Sequence, residues 1–139
     1  MWQVEHSIEI NVKKEKIWTF WEDVNNWNKW NIYIEYSNIN GIFKNGTYCS
    51  FKMKNGKEPL YLNFIIKECI VNEKFIGRLR KMFCNIDLGH EMIEEGNKVI
   101  IKHNIKIYGI MTYYYRKKIG EKISGKLHES LKNLVEMAG

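Results

Sequence analysis

The first segment of the chain alternates strictly between apolar and polar residues. One set of alternate positions holds the residues that would face a protein interior: Trp2, Val4, His6, Ile8 and Ile10. The positions between them hold Gln3, Glu5, Ser7 and Glu9. Because successive side chains of a strand point to opposite faces, the pattern predicts a half-buried β-strand over Trp2–Ile10.

Two short helical segments follow this strand. Residues 12–21 place Ile17, Trp18 and Trp21 on one helical face, with charged residues in the first turns, which predicts an amphipathic helix. Residues 23–28 predict a second short helix. Trp27 and Trp30 lie in and just after it, where they either pack the short helices against the sheet edge or clamp a ligand at a cavity mouth. Packing is the favoured interpretation.

Period-two patterns return after the second helix and predict six further strands. Their ranges are residues 32–39, 47–53, 60–66, 73–79, 84–93 and 98–107. Asn55 and Gly56 predict a two-residue hairpin turn. Glu95 and Gly96 predict another turn, and that turn would pair His90 with Ile101.

The last part of the chain changes from a period of two to a period of 3.6. Apolar residues recur there at spacings of three and four: Ile119, Ile123, Leu127, Leu131, Leu134 and Ala138. Lysine and glutamate residues lie off this stripe. The pattern predicts one long amphipathic helix over residues 112–138.

The order strand, two short helices, six strands and one long helix predicts the α+β class. A curved antiparallel sheet has to cover its apolar concave face, and the helix over residues 112–138 is the predicted element long enough to do so. We therefore expect a seven-stranded antiparallel sheet wrapped around the C-terminal helix, in a single domain of residues 1–139. The space between helix and sheet is the natural ligand site.

Charge and cysteine content narrow the classes of function. The chain of 139 residues has a formal net charge of +6, but its lysines are scattered, which favours a solvated surface over a nucleic-acid track. The three cysteines lack the spacing of a zinc site or a disulfide framework.

With no signal segment and no long apolar run, we expect a cytoplasmic protein without cofactor, nucleic-acid partner or membrane span. The oligomeric state stays open.

Taken in order along the chain, these features resemble the START-related helix-grip (SRPBCC) superfamily, and most closely its polyketide cyclase/dehydrase-like branch. The features that carry the resemblance are the first strand, Ile17 and Trp18, Asp23 and Val24 followed by Trp27 and Trp30, the Gly41 to Gly46 turn before Thr47, His90, Gly109, and Leu127, Leu131 and Leu134. The resemblance covers nearly the whole chain. It implies a hydrophobic pocket for a small or lipid-like molecule, and it carries over no catalytic signature.

The inward positions of the strands and the helix stripe predict which residues line that pocket. The predicted lining residues are Phe51, Met53, Phe64, Leu88, His90, Ile101, His103, Tyr114 and Ile123. Tyr114 is included because one or two of the tyrosines at positions 113–115 should point into the grip, where a phenol can bond a ligand oxygen.

Three histidines are the candidate catalytic residues. His6, His90 and His103 are predicted on inward faces of strands that the resemblance makes neighbours. An inward histidine can move protons near neutral pH, so the site could act as a cyclase or dehydratase, or the histidines could be satisfied core residues. Their spacing and the lack of carboxylates on the same face argue against a metal site.

Binding of a small hydrophobic ligand is the leading hypothesis, and an enzyme with a cavity histidine as general acid/base is the alternative.

Overall fold

The computed structural model describes residues 1–54 and 60–139, so the predicted turn at Asn55 and Gly56 lies outside the described residues. The strands are β1 (Trp2–Ile10), β2 (Ile34–Ile39), β3 (Tyr48–Met53), β4 (Leu60–Ile70), β5 (Lys74–Lys81), β6 (Cys84–Glu95) and β7 (Lys98–Gly109). They form a seven-stranded sheet in the order β1-β7-β6-β5-β4-β3-β2, and each neighbouring pair is antiparallel. The first and last strands of the sequence order therefore meet at one side of the sheet.

The helices lie where the sequence predicts them. Helix α1 (Lys14–Glu22) and a 3₁₀ helix (Val24–Lys29) follow β1. The C-terminal helix runs over residues 112–138 as α2 (Thr112–Tyr115), a π-helical turn (Arg116–Gly120) and α3 (Glu121–Ala138). The predicted α+β class, with a long helix across an antiparallel sheet and two short helices after β1, is confirmed.

The apolar stripe of the C-terminal helix forms much of the core. All six predicted members are buried: Ile119, Ile123, Leu127, Leu131, Leu134 and Ala138. A buried serine of α3, Ser130, also accepts a hydrogen bond from the backbone N–H of Ile32 at 3.1 Å. The helix is therefore joined both to the sheet and to the segment that follows the 3₁₀ helix.

The hairpin between β6 and β7 differs from the sequence prediction. Glu95 is opposite Lys98, which leaves Gly96 and Asn97 as the two turn residues, and His90 is opposite His103 rather than Ile101. Gly96 has φ +62°, as the first turn position of a type II′ hairpin requires. The prediction placed the glycine second in the turn, which shifted the register by two residues and kept the inward faces correct.

Leu127→Ala tests the buried stripe. Leu127 is 3% exposed, so the substitution should lower the free energy of unfolding by about 2–5 kcal/mol through lost burial and a residual cavity. Chemical denaturation measures this loss. The neighbouring exposed residue provides a control, because Lys126→Ala should change stability by less than about 0.5 kcal/mol. A comparably small loss for Leu127→Ala would contradict the packing.

In the described part of the chain, no helix combines the length and the apolar character needed to span a membrane.

Candidate functional site

Three histidines lie side by side on adjacent strands of the concave face. His6 on β1 is opposite His103 on β7, and His103 is opposite His90 on β6. The rings of His90 and His103 are 4.5 Å apart between centroids. The predicted offset between these two residues is wrong, because the true hairpin register aligns them. His6 is half-buried, and its ring lies 6.2 Å from that of His128, an exposed residue of α3.

Aromatic side chains enclose His90. The ring of Phe75 stacks on it at 4.0 Å with an interplanar angle of 8°. Trp21 approaches edge-on at 5.5 Å, and Trp27 lies 6.3 Å away. These three residues come from β5, α1 and the 3₁₀ helix, so the short helices place their tryptophans directly over the histidine.

Two tryptophans also lie against His103, and one of them, Trp21, contacts both histidines. The ring of His103 lies 5.7 Å from Trp21 and 5.9 Å from Trp30. Trp27 and Trp30 are 4% and 1% exposed, and the indole N–H of Trp27 donates to the backbone oxygen of Trp21 at 2.9 Å. This burial supports the favoured interpretation that both tryptophans pack the short helices against the sheet.

Four buried polar atoms have no hydrogen-bond partner among the described residues. They are Trp21 Nε1, Asn31 Oδ1, His90 Nδ1 and His103 Nε2. The rings that carry three of these atoms contact one another, and Asn31 directly follows Trp30. A buried polar group without a partner costs about 1–3 kcal/mol, so hydrogen-bond partners supplied to these four atoms would stabilise the folded protein.

Burial keeps both central histidines neutral. It lowers the pKa of His90 to about 3, against a smaller upward effect of hydrogen bonding to the backbone at Leu88 and Phe75. Burial also lowers the pKa of His103 well below its ordinary value, and the proximity of His90 and His6 adds to this. Over residues 1–54 and 60–139, no set of three or more histidine, cysteine, aspartate or glutamate side chains is arranged to hold a metal ion.

The other predicted lining residues lie mostly in the interior. Buried members of the predicted set, besides His90 and His103, are Phe51, Met53, Phe64, Leu88, Ile101 and Ile123. Phe64 lies 5.9 Å from Phe51 and stacks on Trp27 at 5.7 Å. Gly77 on β5 makes room for that ring, since a Cβ there would lie 2.9 Å from Phe64 Cδ2.

Tyr114 lies apart from this interior set. Its side chain is 47% exposed, and its hydroxyl accepts a hydrogen bond from Lys118 Nζ at 3.3 Å. The next residue, Tyr115, is the tyrosine that packs against the core. Consecutive residues of a helix point about 100° apart. Because the side chain of Tyr115 points to the core, the side chain of Tyr114 points towards solvent.

Sequence reasoning missed two of the four polar atoms. The sequence pattern identifies Trp21 only as an apolar residue of the helix face, and nothing in the pattern indicates that its indole N–H is buried without a partner among the described residues. Asn31 lies in a short connection between the 3₁₀ helix and β2, where an asparagine is ordinary turn composition. Its 2% exposure follows from tertiary packing that no local pattern reveals.

Solved structures share this architecture. Ginseng major latex-like protein 151 from Panax ginseng has a TM-score of 0.77 at 9% identity, over 99% of this chain and 97% of that chain. A START superfamily protein from Mycobacterium smegmatis has a TM-score of 0.74 at 12% identity, over 99% of both chains. The Zhui aromatase/cyclase from a Streptomyces species has a TM-score of 0.74 at 9% identity, over 99% of this chain and 93% of that chain.

At these identities the similarity concerns the fold. No protein-family model matches the sequence, and a search of curated proteins finds no match to it. The concave seven-stranded sheet, the two short helices after β1 and the long C-terminal helix are shared with these structures over nearly their whole length. The chain therefore has the START-related helix-grip fold, and the resemblance predicted from its sequence is confirmed at the level of fold.

Proposed function

We propose that the protein binds a small hydrophobic molecule between the sheet and the C-terminal helix, with a polar group of that molecule held at His90 and His103. The observation that carries this proposal is a cluster of three buried polar atoms that have no hydrogen-bond partner among the described residues: Trp21 Nε1, His90 Nδ1 and His103 Nε2. Native structures rarely leave such groups unsatisfied. A bound molecule that supplies the partners would recover the free energy that their burial costs.

The chemistry of the cluster defines the polar group of the ligand. A neutral imidazole has one donor and one acceptor nitrogen, whereas the indole of Trp21 only donates and the side-chain oxygen of Asn31 only accepts. The buried polar residues in the described part of the chain are Asn31, Ser37, Thr47, His90, His103 and Ser130, with no lysine or arginine among them. A carboxylate would be desolvated there without a cation, so a neutral hydroxyl or carbonyl group fits best.

The pKa values favour binding over acid–base catalysis. General acid–base catalysis is most efficient when the pKa of the catalytic group lies near the working pH. A histidine with a pKa of about 3 is a weak base at neutral pH, and its protonated form is scarce. A cyclase or dehydratase reaction at His90, His103 or His6 is the alternative to binding, and turnover of a carbonyl substrate would be its signature.

A cytoplasmic location belongs to the same proposal. Cys49, Cys69 and Cys84 are free thiols, as in proteins of reducing compartments. Burial raises the pKa of Cys49 to about 12, so its thiolate is scarce and the thiol acts as a small apolar residue.

His90→Ala tests the polar end of the site. The experiment measures binding of prodan, a naphthyl ketone whose fluorescence rises in apolar surroundings, to the wild type and to the variant. Loss of the imidazole should weaken prodan binding by about 1–2 kcal/mol, the value of one hydrogen bond to the ketone, or roughly 5- to 30-fold in dissociation constant. His128→Ala, at an exposed position of α3, should leave the affinity unchanged.

Pyrene, an apolar probe without a carbonyl group, separates the polar contact from the apolar one. It should bind the wild type and His90→Ala with similar affinity. Failure of both probes to bind the wild type, or equal prodan affinity for wild type and His90→Ala, would contradict the proposal. Native mass spectrometry of the protein purified from its own cells should in addition reveal a co-purifying molecule with a hydroxyl or carbonyl group.

A further inference from the structure

One end of the molecule exposes several large apolar side chains. Met82 and Phe83 form the turn between β5 and β6 and are 73% and 67% exposed. Ile110 follows β7 and is 87% exposed, and Tyr113 in the first turn of α2 is 73% exposed. We call these four residues the apolar tip. Single exposed apolar residues are ordinary, but a contiguous group marks an interaction surface.

Backbone contacts hold the parts of the apolar tip together. Cys84 pairs with Gly109 at the ends of β6 and β7. The backbone N–H of Met111 donates to the carbonyl oxygen of Phe83 at 3.4 Å. The turn that carries Met82 and Phe83 is therefore fixed beside the segment that carries Ile110.

The turn holds an apolar side chain where the backbone disfavours one. Phe83 has φ +56°, a left-handed conformation that is rare for bulky residues and easy for glycine. Such strain persists where the surroundings or a function require it. The side chain of Phe83 is mostly exposed, so core packing does not explain its presence there.

Lysine side chains lie beside the apolar tip. Lys81 ends β5, and both burial and the proximity of Lys118 lower its pKa. Lys118 lies 5.5 Å from the ring of Tyr114, and Lys117 lies 6.0 Å from the ring of Tyr113. Within the described residues, neither Lys81 nor Lys118 forms an ion pair with a carboxylate. Two neighbouring lysines without a carboxylate form a site that favours an anion.

We propose that the apolar tip docks on the surface of a membrane that contains anionic lipids. Met82, Phe83 and Ile110 would enter the boundary between headgroups and acyl chains, while Lys81 and Lys118 contact lipid phosphates. Apolar insertion and attraction of cations to anionic lipid are the two contributions that hold peripheral proteins on membranes. The proposal concerns the outer surface and is independent of the interior ligand.

Other partners fit the apolar tip less well. A nucleic acid would use the cations but would leave the apolar side chains without partners, since its affinity comes mainly from phosphates. A two-fold contact with a second copy would bring the lysines of both copies together, and these like charges would repel one another.

Vesicle sedimentation tests this proposal. The full chain is mixed with phosphatidylcholine vesicles with or without phosphatidylglycerol, at low and high salt. The wild type should bind the anionic vesicles, more weakly at high salt. The double variant Phe83→Ser and Ile110→Ser should lose about tenfold or more in partition coefficient, because both side chains lose their apolar burial. The double variant Lys81→Gln and Lys118→Gln should lose about tenfold on anionic vesicles and little on neutral ones.

Matched variants at the opposite end of the sheet serve as controls. Ile42 is 74% exposed in the loop between β2 and β3, and Ile42→Ser should leave vesicle binding unchanged. Lys13→Gln with Lys44→Gln removes the same charge from exposed positions and should also preserve most of the binding. Equal binding by the wild type and the Phe83→Ser, Ile110→Ser variant would overturn the proposal. A wild-type dimer that this variant converts to a monomer, without vesicle binding, would overturn it by assigning the apolar tip to a second copy.

Discussion

Gly109→Ala should lower the free energy of unfolding by about 3–5 kcal/mol, through backbone strain and steric overlap together. Gly109 ends β7 with φ +122°, a region that only glycine enters readily. A Cβ at this position would also overlap the carbonyl oxygen of Phe83 and lie 2.9 Å from Cys84 Cα. Both are backbone atoms next to the β6–β7 pairing, so relief of the overlap would disturb the sheet.

A second glycine-to-alanine change provides the control for this prediction. Gly125 lies inside α3 on an exposed surface, and a Cβ there would meet no atom within 4 Å. Gly125→Ala should therefore stabilise the protein by roughly 0.5–1 kcal/mol, because alanine is the better helix former. Urea denaturation of both variants measures the two effects. A loss below about 1 kcal/mol for Gly109→Ala would show that the end of β7 relaxes freely.

The sequence predicts which face of each strand is buried more reliably than it predicts strand pairing. The alternation along β6 and β7 assigns Leu88, His90 and His103 to the interior, and all three are buried. The pairing depends instead on two turn residues. Placing Gly96 second in the turn shifted the register by two positions, which leaves every inward residue inward but separates His90 from His103.

The candidate site depends on contacts that local patterns do not contain. The sequence identifies His90 and His103 as polar residues on an apolar face, because that contrast is visible within a single strand. It does not reveal that Trp21 and Phe75 enclose His90, since those side chains arrive from α1 and β5. The sequence pattern also does not predict the π-helical turn, because Ile119 and Ile123 are four residues apart, as in an ordinary α-helix.

Stability should fall steeply as the pH decreases below the ordinary pKa of histidine. The ordinary pKa of histidine is 6.5, and burial lowers that of His90 to about 3 in the folded protein. Between these two pH values the histidine at position 90 binds a proton in the unfolded chain but not in the folded protein. The free energy of unfolding therefore rises with increasing pH and falls with decreasing pH in this range. His103 acts in the same direction, since burial also lowers its pKa.

The expected size follows from the linkage between protonation and folding. Neutral, buried His90 should cost about 2 kcal/mol of stability as the pH falls from 6.5 to 5, at roughly 1.4 kcal/mol per pH unit, and His103 adds to this loss in the same direction. The ordinary pKa values of aspartate and glutamate side chains lie below this window, so we expect the two histidines to dominate the slope. Urea denaturation at several pH values between about 5 and 7 measures the change.

Substitution separates the histidines from other titrating groups. The double variant His90→Gln and His103→Gln removes both imidazoles and keeps polar side chains, so its stability should depend much less on pH across this window. Burial of the two glutamine amides also changes the absolute free energy of unfolding of this variant. The slope of that free energy against pH, however, depends only on the difference in protons bound by the unfolded and folded states. His128→Gln, on the exposed surface of α3, should preserve the steep slope of the wild type. An equally steep slope in the double variant would show that His90 and His103 bind protons alike in the folded and unfolded states. That result would remove the main argument for a neutral site that recognises a hydroxyl or carbonyl group.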